Sequence, residues 1–586
     1  MCYQGILVNL FVLVLTTLSA MSAHVGTVSA EIRLEVASSM TRLFMGSVAA
    51  GSGKPLIEIW AARNEYESVQ LLLTDSNNAG ITSIDFGDLK HIGGDSIYKA
   101  GNCLARAPEY VYVERNTSRT PANELDGKAP GWYPDPLPLF TENSRKVVNS
   151  VWVSCYIPDG TRGGTYRGEA SLTVGTSAYK IPVRLHVWSF ALPKKPGLHV
   201  SMWTHVPQIV KRYNTKKGSR KFWQVVEAIA QDQSKHRVDI SFVYLSLIKT
   251  TKDEMGKYRF DFTDYERWIE IFRKQGIENF EGYPLAHAKA HNIYDVASGE
   301  KIKILAGDDL TYEDKRYLRS ILNAINEENR KLKLQGHYMQ HVGDEMRGSQ
   351  VRIYREIAEI VREEMPDVPI IDATHLSASD RKGMMDIPVT NMVAPLSKER
   401  NGIGKKWGRW WYTAGFKPRG RMPNRFIDYP LIKMRIIPWL NWRMGVSGYL
   451  HYAYNFWYGP SGESPWHRVQ YGKYPPGDAW VVYPRRDGDK EILVPSMRWE
   501  VFRDGLEDYE YLKLMESWKI RLLADEVEGS VQRDMLRKKL EELEITVKGE
   551  IRSRKVYTRD PMRLEDVRKR IGLLLDQLEV EFSYRE

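Results

Sequence analysis

The sequence predicts a multidomain β plus α/β protein: an N-terminal β-sandwich, a central (β/α)8 TIM barrel and a C-terminal helical appendage. At 586 residues the chain is too long for one ordinary domain. As far as residue 193, short runs alternate apolar and polar residues with turn chemistry between them, the period-two signature of half-buried strands. Beyond residue 198 the rhythm becomes strand, helix, strand, as a parallel sheet requires.

Composition narrows the class. The chain is 42% hydrophobic and 27% charged, which excludes a disordered, collagen-like or polytopic membrane protein. Its 84 Lys+Arg against 74 Asp+Glu leave a formal charge of +10. That surplus is spread without a long basic run, so nucleic-acid binding is not indicated. The 17 Trp, 32 Tyr and 16 Phe offer flat faces that suit sugar rings as well as cores.

Residues 1–30 read as a signal peptide. They carry no charged side chain, and the apolar run from Ile6 to Leu18 is broken only by Asn9 and a Thr pair. It is shorter than the about 20 residues of a membrane span, and small residues follow it, offering cleavage after Ala20, Ala23 or Ala30. The other reading, an uncleaved anchor, has length against it. No second apolar run of spanning length follows, so a mature chain without a transmembrane segment, exported to the periplasm, outer surface or medium, is expected. Two cysteines then remain, Cys103 and Cys155. An oxidising compartment permits a bridge between them, and spacing alone leaves open whether they meet.

Residues 31–193 are assigned to the sandwich. Ser68 to Thr74, Lys146 to Ser154 and Tyr179 to Val187 read as strands, and Asp159-Gly-Thr-Arg-Gly-Gly164 as a turn. Leu192 to Gly197 reads as the linker. Residues 198–520 are assigned to the barrel, with strands expected at 199–203, 237–245, 279–284, 335–342, 369–373, 389–394, 409–413 and 448–454. Helices are expected at 219–235, 264–275, 312–332, 350–364 and 430–445. Pro495 to Trp518 is helical, and 521–586 forms packed helices on which Leu536, Leu540 and Leu543 share a face.

The chemistry is expected at His341-Val-Gly-Asp344-Glu345, on the carboxyl end of the fourth barrel strand, where this fold places active sites. Other acidic pairs, such as Asp308-Asp309 and Glu363-Glu364, are expected on solvated helices and turns. Neighbouring carboxylates rarely straddle a sugar as a paired acid and nucleophile must. They do suit substrate-assisted hydrolysis, in which a 2-acetamido oxygen attacks the anomeric carbon. Asp344 then holds the acetamido N–H, while Glu345 protonates the leaving oxygen and later activates water. Glu345 needs a raised pKa for this, to which Asp344 contributes. Candidate sugar-binding residues are His287 and His341 after strands three and four, and Trp411, Tyr412, Tyr454, Asn455 and Trp457 near strands seven and eight. These last belong to a stretch, Trp407 to Trp466, that holds seven of the 17 tryptophans.

Gly51-Ser-Gly-Lys54 lacks the first glycine and the Ser/Thr of a phosphate loop and reads as a turn. His287 and His291 have i, i+4 spacing, but the metalloprotease glutamate is missing. No metal or organic cofactor is expected.

Asp344-Glu345, Trp410-Trp-Tyr412, Gly448-Tyr-Leu-His-Tyr-Ala-Tyr-Asn-Phe-Trp457, Gly477-Asp-Ala-Trp-Val-Val-Tyr-Pro484 and Arg503-Asp-Gly-Leu-Glu-Asp-Tyr-Glu-Tyr511 resemble the catalytic region of glycoside hydrolase family 123. Ala61 to Gln70 and Gly164 to Gly168 are similar to its N-terminal sandwich. The resemblance implies a retaining β-N-acetylgalactosaminidase acting on a glycan, with Asp344 stabilising an oxazolinium and Glu345 as acid/base. The alternatives are a hydrolase of a different sugar on the same fold, or a non-catalytic carbohydrate-binding protein.

Overall fold

The computed structural model describes residues 32–583 except 50–54, 76–78, 141–147, 288–290, 292, 306, 308, 397–405, 415–416, 458–462, 473, 487–490 and 525–530. The expected signal peptide, residues 1–30, lies outside the described residues.

The N-terminal region is strand-rich. One sheet runs in the order Ile32–Ser38, Glu65–Asp75, Ser150–Ile157, Cys103–Arg106. A second carries Ile57–Arg63, Ser177–Ala191, Gly164–Val174 and Leu89–His91, with Ile81–Phe86 also paired to Gly164–Val174. Along Ser177–Ala191 the alternate residues Ile181, Val183, Leu185 and Val187 turn inward against Leu71, Leu73, Val151 and Val153 of the other sheet. Gly175, at φ +58°, supplies the left-handed residue that the two-residue hairpin loop needs. Cys103 and Cys155 lie directly opposite one another in adjacent strands and are disulfide-bonded.

The connection at 192–197 is no loose tether. Leu192 and Leu198 are buried, Gly197 N–H donates to Glu510 at 2.7 Å, and Arg237 donates to the Pro193 carbonyl at 2.6 Å.

All eight expected barrel strands are present: His199–Met202, Ile240–Val243, Asn279–Gly282, Tyr338–Gln340, Ile371–Thr374, Ile387–Asn391, Trp410–Tyr412 and Gly448–His451. We number them one to eight. They pair in parallel in the order 4-3-2-1-8-7-6-5, and a parallel bridge between Gln340 and Ile370 joins strands four and five, nearly closing the barrel. The helices between them obey local rules. Ser219 caps Arg220–Lys235, a Thr311/Asp314 capping box opens Tyr312–Lys331, and Gly445 in the left-handed region ends Ile432–Met444. The excursions after strands two and three pair with each other as a small sheet (Lys249–Lys252, Tyr258–Asp261, Ile293–Asp295, Lys301–Ile302).

Met497–Ala524 is a helix packed lengthwise on Ile432–Met444. Gly505 makes that approach possible, since a Cβ there would stand 2.5 Å from the Arg435 carbonyl oxygen. The charged Arg503-to-Tyr511 block is therefore buried and internally paired: Arg435 donates to Asp508 at 2.7 and 3.0 Å. The last helices, Val531–Glu550 and Pro561–Ser583, are more than an appendage. Pro561–Ser583 packs on sandwich strands as well as on Met497–Ala524, and its buried Arg568 is ion-paired to Glu65, to Glu67 at 2.8 Å and to Asp508 at 2.8 Å. Among the described residues no helix is long and apolar enough to cross a membrane.

Candidate active site

Asp344 and Glu345 follow strand four in a turn set by backbone contacts. Gly343 is tightly enclosed: a Cβ would overlap Met346 and come 3.1 Å from Tyr354. Glu345 adopts φ +49°, a conformation costing on the order of 1 kcal/mol, and is held there by its N–H bond to the Ala373 carbonyl of strand five, 2.9 Å.

Glu345 is gripped by three groups. Tyr412 Oη donates to its Oε1, His375 Nε2 stands 3.0 Å from the same oxygen, and Arg347 donates to Oε2 at 3.2 Å. Asp344 faces a wall of tyrosines, its charge bearing on Tyr283, Tyr452 and Tyr412 and pushing each hydroxyl pKa further above burial's own increase. Its own pKa is raised to about 6, by burial first and then by the Glu345 charge, against a smaller pull from His341. The raised carboxyl on which the structure bears is thus Asp344, whereas the sequence reading looked to Glu345 for it.

Behind the dyad lies a buried polar network. His341 Nδ1 is 2.8 Å from Asp372 Oδ1 of strand five, and its Nε2 is 3.5 Å from Glu281 Oε1 of strand three. Glu281 accepts from Ser201 at 2.6 Å and Trp203 Nε1 at 3.1 Å; Asp372 accepts from the Val342 and Gly343 N–H groups at 3.0 and 3.2 Å, and from Tyr354. Burial favours neutral His341, yet the two carboxylates outweigh it and raise its pKa to about 10, so it is an imidazolium.

Aromatic rings complete the wall: Trp203 stacks on Phe242 at 4.4 Å, Tyr244 meets Tyr283 at 4.6 Å, and Tyr452 stands edge-on to Trp203 at 6.2 Å. His287 is half-buried edge-on to Tyr283, and burial lowers its pKa. Its partner in spacing, His291, is a core histidine with Nε2 2.7 Å from the Leu285 carbonyl.

The structure brings Asp344, Glu345, Tyr412 and His287 to one end of the barrel and separates them from the other candidates. His341 is fully buried beneath the dyad, its Nδ1 on Asp372. Trp411 points out of the barrel, its Nε1 donating to Asn441 of helix Ile432–Met444 at 3.0 Å, as strand alternation demands when Tyr412 points in. Tyr454 is buried and donates to Asp232 at 2.6 Å. Asn455 accepts from His205 N–H at 2.6 Å, and Trp457 donates to the Val482 carbonyl at 2.8 Å; both are buried joints of the loop after strand eight. All four are fully buried. The residues missed, Trp203, Tyr244, Tyr283, Glu281, Asp372, His375 and Tyr452, all sit on or just after strands; strand-end position alone was the available signal. Among the described residues no group of three or more His, Cys, Asp or Glu is placed to hold a metal ion.

A (β/α)8 barrel with its carboxylates at the strand ends is a frame on which many glycoside hydrolases are built, and comparison with known proteins places the chain in that class: it is a glycosidase. The family description "Glycoside hydrolase 123, catalytic domain" matches residues 199–515, more than half the chain, so the chain belongs to glycoside hydrolase family 123. A solved family 123 glycoside hydrolase from Clostridium perfringens, described in terms of glycolipid glycan hydrolysis, superposes with a TM-score of 0.70 at 14% identity, over 94% of this chain and 99% of its own. A family 5 mannosidase from Rhizomucor miehei (TM-score 0.30, 10% identity, 57% of this chain and 96% of its own) and a β-D-glucuronidase from Dictyoglomus thermophilum (0.19, 9%, 56% and 45%) are far weaker likenesses. No curated protein matches the chain.

Proposed function

We propose that the protein is an exported β-N-acetylgalactosaminidase, or a close N-acetylhexosaminidase, that hydrolyses glycans with retention through a substrate-assisted oxazolinium intermediate. The observation that carries this is the Asp344/Glu345 pair set beside one another, with the remaining central carboxylates engaged elsewhere. Glu281 and Asp372 are buried and occupied by His341, Ser201, Trp203 and Tyr354. A nucleophile supplied by the substrate fits that supply of groups.

In the reaction Glu345 donates its proton to the glycosidic oxygen as the acetamido oxygen closes on the anomeric carbon. Asp344 accepts the acetamido N–H bond and balances the positive charge of the oxazolinium. Glu345, now ionised, takes a proton from water, which opens the ring on the same face and restores the acid. Tyr412 and His375 aim Glu345, and the Trp203–Tyr452 wall offers apolar ring faces. The solved relative's action on glycolipid glycans makes such a headgroup a reasonable substrate to try. Export draws support from the Cys103–Cys155 bridge, which belongs to oxidising compartments.

The test is release of an aryl leaving group from a β-N-acetylgalactosaminide by the wild type beside Glu345→Gln. Turnover lost in the variant upholds the assignment. Turnover that survives it removes Glu345 from the acid role, and silence from the wild type on both galacto and gluco N-acetyl substrates moves the enzyme to a different sugar.

A further inference from the structure

All 17 tryptophans lie among the described residues, and Trp132 stands alone in being exposed, at 50%. Burying an indole stabilises a fold, and a single exposed apolar side chain is still ordinary. Trp132 does not stand by itself in space. It lies directly opposite Tyr112, 40% exposed, in the two-stranded sheet Tyr110–Val113/Gly131–Pro134, with ring centres 5.3 Å apart. The sheet's other face is buried through Val111, Val113 and Tyr133, so the two rings are presented on a rigid support. Beside them Glu114 and Arg115 are exposed polar side chains.

The sheet is also joined to the segment that follows strand eight. Gln470 Oε1 accepts from the Glu114 and Arg115 N–H groups at 2.8 and 3.0 Å, and its Nε2 donates to the Arg115 carbonyl at 2.7 Å. Four residues on is Tyr474, 43% exposed, whose hydroxyl when ionised raises the pKa of Tyr452 of the aromatic wall. Five aromatic residues are exposed among the described residues, and three of them, Tyr112, Trp132 and Tyr474, lie on this joined pair of segments.

We propose that Trp132 and Tyr112 form a second carbohydrate-binding site, an aromatic platform that stacks on a pyranose ring of a glycan chain while Glu114 and Arg115 bond its hydroxyls. An apolar ring face bordered by polar groups matches a sugar, which is apolar on its faces and polar at its edge. The platform holds glycan and does not cleave it. The inference rests on the glycan substrate that family membership implies and is independent of which sugar the barrel releases.

The experiment is native electrophoresis in gels carrying gastric mucin, ganglioside headgroup conjugates or chondroitin, with Glu345→Gln as parent so that no probe is consumed. The parent should be retarded in at least one gel. Adding Trp132→Ala with Tyr112→Ala should weaken that binding roughly five- to tenfold, and Trp132→Tyr should keep most of it. In the active enzyme Trp132→Ala should leave kcat and KM on an aryl glycoside within twofold. Equal retardation of parent and variant, or no retardation in any gel, overturns the proposal. So does a dimer by light scattering that Trp132→Ala converts to monomer, which would make the patch a contact between two copies. Failure of the wild type on aryl N-acetylgalactosaminides would sink the sugar assignment and leave the gel result standing.

Discussion

His341 Nδ1 lies 2.8 Å from Asp372 Oδ1, although 31 residues separate them and neither reaches solvent. Asp372 also accepts the Val342 and Gly343 N–H groups, so one carboxylate fixes both the imidazolium and the backbone that leads into Asp344. Asp372→Asn should therefore destabilise the protein by about 3–5 kcal/mol, the range for breaking a buried ion pair. It should also lower kcat more than it raises KM, because the dyad is displaced rather than removed. Thermal unfolding and steady-state kinetics on one preparation check both.

Asp344 is held at a cost. A carboxyl whose folded pKa is raised binds its proton more tightly in the folded state, so stability falls as pH rises from about 4 through about 6. Asp344→Asn should gain on the order of 1–2 kcal/mol at pH 7, allowing for the side chain's partial exposure, and nothing at pH 4. Its kcat should fall by about a hundredfold or more. The wild-type rate should carry an acid limb near pH 6 that the variant lacks. Denaturant melts at the two pH values and a rate profile decide this.

Tyr412 donates to Glu345, and His375 stands 3.0 Å from the same oxygen. Tyr412→Phe should lower kcat roughly tenfold with KM changed less than threefold, and the loss should shrink for substrates with good leaving groups, which need less protonation. A leaving-group series over wild type and variant reads it.

Arg568 is the cation around which Glu65, Glu67 and Asp508 assemble. Arg568→Ala leaves two buried carboxylates and the half-buried Glu67 without it and should cost about 3–5 kcal/mol, while Arg568→Met, which keeps the volume, should cost no less because the carboxylates remain. A larger loss at pH 7 than at pH 5, where protonation relieves them, is the expected pattern in thermal unfolding.

The Cys103–Cys155 bridge spans 52 residues, so its removal should cost about 2–4 kcal/mol. Cys103→Ala with Cys155→Ala should lower the melting temperature, and a reductant should affect the wild type alone.

The sequence by itself determined the eight parallel-sheet strands, their succession along the chain, and the placement of Asp344 and Glu345 after strand four, because each depends on patterns a few residues long. Strand alternation within Trp410-Trp411-Tyr412 already meant that only one of the last two could face the site, which the aromatic crowding around them obscured. What only the tertiary structure decided were the relations between strands. Closing the barrel brings Glu281, His341 and Asp372 from strands three, four and five into one network, and barrel closure leaves no trace in local spacing. It also buries Tyr454, Asn455 and Trp457 as joints, since after strand eight the chain turns back onto the helix layer instead of lining the mouth. The charged Arg503-to-Tyr511 block is buried because the partners Arg435 and Arg568 arrive from other helices. A charge's partner, and hence its burial, is set by packing between distant segments.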